Sequence, residues 1–258
     1  MGSVNDQWYD FFWLLPTVKG PEALALGIFS AQHLAVLAGL AVAIVATVWA
    51  YKRASTHGRK VMRLAIGIAV LVMEGFRQIA FISLHAYKPE ILRLHLCAVV
   101  TFCVFIDSVR PNSWTREVMY ALGTWGPACA LAFPDWATQP LFNIHTWQAF
   151  LIHGCLLAYS FMLLVSRELR PNVRQLWKVG VIVGVFVAVS LVANHAWGTN
   201  FWFLNVGSPG SPLQPLQDAT GAMYLPTLAV LVAILWTAMY LPWVLSDRRH
   251  PGRRQALA

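Results

Sequence analysis

Seven apolar runs of bilayer-spanning length or close to it recur along this chain, at about 28–51, 61–87, 91–109, 114–133, 142–165, 176–197 and 223–245. Backbone in lipid finds no water to bond, so each run must satisfy its own N–H and C=O groups, and helices do this. Composition agrees: 58% of the residues are hydrophobic and 12% charged, whereas a soluble domain carries about twice that charge. The expected fold is all-α: a polytopic membrane protein with a seven-transmembrane-helix bundle over 28–245. An interfacial N-terminal segment, 1–27, precedes it and a basic cytoplasmic tail, 246–258, follows. The N-terminal segment lacks the basic start of a signal peptide and is rich in aromatics such as Trp8, Phe12 and Trp13.

Lys and Arg set the orientation. Fifteen of the 19 lie in four segments, 52–63, 110–116, 167–178 and 248–254, which alternate with the spans and so share a side. Asp6, Asp10, Glu22, Glu90, Asp135 and Asp218 fall on the other side. The N-terminus is therefore expected outside and the C-terminus in the cytoplasm. The net charge of +8 is read as topology; no basic surface on a soluble fold suggests nucleic acid as a partner. Cys97, Cys103, Cys129 and Cys155 all fall within spans and form no CxxC or zinc-module spacing, so neither a disulfide framework, a metal site nor a cofactor is expected.

The side poor in Lys and Arg collects six of the eight histidines: His33, His85, His95, His145, His153 and His195. Polar groups in lipid are costly and tend to line sites. Glu74, Arg77, Gln78 and His85 share one face of span two by helical spacing. They fit a structural ion pair or a polar floor that orients a catalytic group. His95 and Cys97, two apart, point about 200° apart on a regular helix. His145 and His153 in span five lie about 80° apart and both can face the interior, although a lone histidine on an apolar face is more often packing. Asn194 just before, and Asn200 within, a Gly-, Pro- and Ser-rich outer loop, 198–222, fit either a capped helix end or hydrogen-bond donors at an outer mouth.

In order along the chain come Phe29-Ser30…His33-Leu34, Glu74 with Arg77, Leu94-His95-Leu96-Cys97, His153-Gly154 and Gly198-Thr-Asn200-Phe-Trp-Phe-Leu204. In these the chain resembles the YwaF-like family of bacterial integral membrane proteins, related to the eukaryotic transmembrane protein 164 acyltransferases. Arg93 stands where the family has Pro. In the eukaryotic relatives the cysteine directly precedes the span-three histidine; here that position is Leu94, and Cys97 follows His95 by two. The resemblance implies transfer of acyl chains between phospholipids by a cysteine and a histidine, in a bacterial plasma membrane.

The reading that follows is a membrane-embedded lipid acyltransferase or lipid hydrolase acting on acyl esters at the outer leaflet. Cys97 attacks the ester, and His153, or His95, serves as base. Asn194, Asn200 or His145 supports the oxyanion, and Glu74, Arg77 and Gln78 orient the base. A histidine-coordinated metal hydrolase is the alternative enzyme, against which stands the eight-residue gap between His145 and His153 with no HxxxH. A small transporter, lipid-binding protein or membrane-complex subunit is the alternative outside catalysis.

The topology is testable by labelling single introduced cysteines in sealed cells. An impermeant reagent added outside should reach 198–222 and miss 52–60. Labelling near Arg59 from outside would overturn it.

Overall fold

The computed structural model describes residues 12–13, 24–92 and 94–249. Most of the expected interfacial segment, Arg93 and the tail beyond 249 lie outside the described residues. Regular structure among the described residues is helical, with one isolated antiparallel bridge between Ala25 and Pro140. The helices are α1 Ala31–Arg53, α2 Thr56–Ser83, α3 Leu96–Val109, α4 Ser113–Ala121, α5 Trp125–Ala132, α6 Ile144–Val165, α7 Leu176–Trp197, α8 Leu213–Thr220 and α9 Tyr224–Arg249.

The N-terminal boundaries follow from local chemistry. Ser30, Ser55, Asn112 and Asn143 cap α1, α2, α4 and α6, each accepting a backbone N–H of the first turn. At the other ends, α2 and α6 close in left-handed turns at His85 (φ 51°) and Arg167 (φ 63°). There Ala86 N–H returns to Phe81 O at 3.0 Å and Glu168 N–H to Leu163 O at 2.9 Å. His85 therefore lies beyond the helix, exposed. It does not continue the Glu74 face, because the chain has already turned away.

Five helical segments, those built on α1, α2, α6, α7 and α9, are long and apolar enough to cross a membrane. The third and fourth apolar runs differ from expectation. α3 has 14 residues, about 21 Å, against a hydrocarbon core of about 30 Å. The fourth run breaks at 122–124, because Pro127 has no N–H and its ring clashes with the carbonyl four residues back. Backbone freed at such depth must be satisfied by protein. The Thr124 hydroxyl donates to Tyr120 O at 2.7 Å, and the indole N–H groups of Trp125 and Trp236 donate to Ala121 O, the latter at 3.0 Å.

α6 is the axis of the bundle, with 61% of its most apolar window buried, against 6% for α1 and for the segment ending in α9. α1, α2, α3 and α5 pack around it. Gly67 lets α3 pack close against α2: a Cβ there would lie 2.2 Å from Ser108 Oγ. α9 is tied on through Tyr120, whose hydroxyl donates to Met239 O at 2.7 Å and accepts from the Trp243 indole at 2.8 Å.

Three of the basic segments, 52–63, 110–116 and 167–178, converge at one end. Arg59, at 3.2 Å, and Arg63 meet Glu168. Arg170 pairs with Asp247, and Lys178 donates to Ser113 Oγ at 2.6 Å. Under them lies Asp107, fully buried, accepting from Thr115 at 3.0 Å, Tyr159 at 3.0 Å and Arg116 at 3.4 Å. Asp107→Ala leaves the buried Tyr159 hydroxyl without its acceptor and Arg116 without its carboxylate, with only Glu168 O to bond. It should cost about 3–5 kcal/mol in detergent unfolding; a loss below about 1 kcal/mol, the scale of an exposed pair, would show that Asp107 carries little.

Candidate functional site

At the opposite end, Glu74, Arg77 and Gln78 do come together. Glu74 Oε1 accepts from Gln78 at 2.6 Å and meets Arg77 at 3.4 Å. Arg77 and Gln78 both donate to Ile91 O, at 2.8 and 3.2 Å. One turn of α2 thus pins the 3₁₀ turn Pro89–Ile91 that leads into α3. The spacing predicted the shared face; its non-local partner, a loop carbonyl, carries no sequence signal.

That pinned chain delivers His95 and Cys97. His95 is the N-cap of α3, with extended dihedrals (φ −72°, ψ 156°). The two residues are therefore not on one regular helix, and the 200° separation expected for a helix does not apply. Cys97, half-buried, is the second residue of α3. His95 packs edge-on against Phe201 at 5.2 Å and beside Phe203 at 5.9 Å. Its Nδ1 accepts the Trp202 N–H at 3.4 Å, and the Trp202 indole donates to Leu94 O. Residues 198–204 thus form a strap across the start of α3. Trp202 (φ 60°) and Phe203 (φ 54°) hold left-handed backbone without being glycine, a conformation that survives only where its surroundings enforce it.

Asn194 and Asn200 supply that enforcement. Asn194 Oδ1 accepts from Phe201 N–H at 2.7 Å and Thr199 Oγ1 at 2.9 Å, and its amide donates to Phe201 O at 3.1 Å. Asn200 donates to Val206 O at 2.7 Å and accepts from Asn205 and Val206 N–H at 3.1 and 3.2 Å. Both side chains brace the loop, and these bonds occupy the amides that the sequence suggested for an outer mouth.

The buried histidines divide by their hydrogen bonds. His33 accepts Phe29 N–H at Nδ1 (3.0 Å), which holds the approach to α1, and meets Leu131 O at Nε2 (2.9 Å), which ties α1 to α5. His153 places Nδ1 2.7 Å from Ala149 O. A carbonyl only accepts, so Nδ1 carries the proton and Nε2 is the basic nitrogen. Its ring stacks on Trp136 at 5.1 Å and 21°. Gly154 beside it lets α1 approach, since a Cβ there would meet Leu40 at 3.2 Å. His145 lies between Phe76 (6.4 Å) and Phe81 (5.4 Å), and its Nδ1 makes no hydrogen bond among the described residues. His195 is exposed. These histidines face different neighbours, and no group of three His, Cys, Asp or Glu is gathered for a metal among the described residues.

Sequence reasoning missed the polar set at the basic end: Tyr51, Asp107, Glu117, Tyr159, Glu168 and Tyr240. Glu117 bonds Tyr240 at 2.9 Å and Asn172 N–H at 3.1 Å. The available signal was acidic residues set against the prevailing charge of that side.

Residues 28–240 match the TMEM164 family, and the chain belongs to that family. No curated protein and no solved structure matches it.

Asn194→Ala removes the bracing of the strap. It should cost about 2 kcal/mol and speed hydrogen exchange across 199–206. Unchanged exchange there would show that the strap holds itself.

Proposed function

From that family membership, we propose that this integral membrane protein is a lipid acyltransferase or lipid hydrolase acting on acyl esters of phospholipids at the outer leaflet of a bacterial plasma membrane. Residues 28–245 form its seven-span domain, with the N-terminus outside and the C-terminus cytoplasmic. Convergence of three of the basic segments at one end supports that orientation.

The observation that carries the chemistry is the His153 tautomer. With Nδ1–H held by Ala149 O at 2.7 Å, the imidazole presents Nε2 as the base, the arrangement general-base catalysis requires. α3 and α6 pack against each other, which sets Cys97 and His153 on neighbouring helices. His153 takes the Cys97 proton, and the sulfur attacks the ester carbon. As the C–O bond breaks, the lysophospholipid leaves with the proton from His153. The acceptor, a lysolipid hydroxyl or water, then gives a proton to His153 and attacks the thioester, releasing Cys97. With Asn194 and Asn200 engaged in the strap, the first N–H groups of α3 or His145 support the oxyanion. Glu74, Arg77 and Gln78 fix the approach to Cys97, and His95 is the alternative base.

The test is acyl transfer by purified protein in vesicles, from a phospholipid with a labelled acyl chain to a lysophospholipid. Cys97→Ala and His153→Ala should each lower the rate by about 100-fold or more, with melting temperatures unchanged. Full activity in Cys97→Ala would overturn the thioester route.

A further inference from the structure

We propose that a groove at the basic end, between the start of α4 and the connection from α6 to α7, binds a phosphate-bearing group. It lies at the other end of the bundle from Cys97 and is carried by different residues.

The groove has a volume of about 390 Å³, within the range of ligand pockets, about 300–1,000 Å³. Arg116, Arg167 and Arg170 line it, along with Glu117 and Glu168. Both carboxylates are already committed. Glu168 is held by Tyr51, Arg59 and Arg63, and Glu117 by Tyr240 and Asn172 N–H. The arginines keep donor capacity. Arg170 bonds Asp247 through one nitrogen, and Arg167 is exposed and makes no ion pair among the described residues. Asn112 and Ser113, the N-cap and first residue of α4, also line the groove, so that helix directs its positive end there. Lys178 reaches Ser113 at 2.6 Å and adds a further cation at the rim.

Two observations give the ligand its chemistry. Guanidinium forks match the paired oxygens of phosphate better than a single ammonium does. Arg167 also occupies a left-handed position (φ 63°) that glycine would take at lower cost, and there it sets a guanidinium at the edge of the groove. The height in the membrane is marked by exposed Trp114 and Trp177, which stack edge to face at 5.2 Å. Such aromatics belong at headgroup level, where lipid phosphates and soluble phosphates are both accessible.

The experiment uses the full chain in phosphatidylcholine vesicles with or without phosphatidic acid, followed by native mass spectrometry of retained lipid. Wild type should retain phosphatidic acid in preference to phosphatidylcholine. Arg167→Gln should weaken that retention measurably, and the Arg167→Gln/Arg170→Gln pair by about tenfold or more. Lys52→Gln/Lys60→Gln, which removes the same charge from the same end outside the groove, should leave it intact. Competition with inorganic phosphate separates the two sources. Displacement assigns a soluble phosphate compound, and resistance assigns a lipid headgroup held also by its tails. Arg170 supports Asp247, so Arg167→Gln alone, checked for an unchanged melting temperature, is the decisive variant. Its full retention of phosphatidic acid would overturn the site, as would an equal loss in the lysine pair or no phosphatidic acid preference in wild type.

Discussion

Polar groups inside a low-dielectric bundle must find partners within the chain, and that requirement organises both ends of this molecule. Asp107 is fully buried and has three donors. The carbonyls freed at the break between α4 and α5 are taken by a threonine hydroxyl and two indoles. Ile91 O, in a turn that no helix or sheet satisfies, is taken by Arg77 and Gln78. Where such partners exist, short and broken helices persist beside the long ones. The start of α3 can then sit inside the protein as a positioned helix terminus.

The same bookkeeping separates the histidines. His33 has both ring nitrogens on backbone groups and acts as a strut. His95 caps a helix and is clamped by aromatic residues of the strap. Among the described buried histidines, His153 alone combines a proton fixed on Nδ1 by its own helix with a stacked ring. That pattern leaves Nε2 as the unprotonated nitrogen, and it sits on α6, the most buried of the long helices. The basic end is built to the same rule with other residues, tyrosines and arginines around three carboxylates.

Much of this was legible in the sequence, because helical periodicity and charge act locally. The apolar runs gave the all-α fold, and the spacing of Glu74, Arg77 and Gln78 gave their common face. What depended on a distant partner, or on a local turn that breaks helical periodicity, was not legible. Pro127 could have flagged the break, but the indole of Trp236 that makes it tolerable comes from α9. His85 looked like the next turn of α2 until the left-handed cap removed it. Asn194 and Asn200 carry the right donors for an oxyanion, yet the strap they brace lies within a few residues of each. Loop closure of that kind leaves no periodic signal.

The most direct test of the central claim, that Cys97 at the start of α3 receives an acyl group, is peptide-level mass spectrometry. The purified protein would be incubated with a phospholipid carrying an isotopically labelled acyl chain and quenched in acid. The account predicts the acyl mass on the peptide containing Cys97, removable by hydroxylamine, and none on Cys103, Cys129 or Cys155. Active, folded protein with no acyl group on Cys97 under those conditions would contradict it.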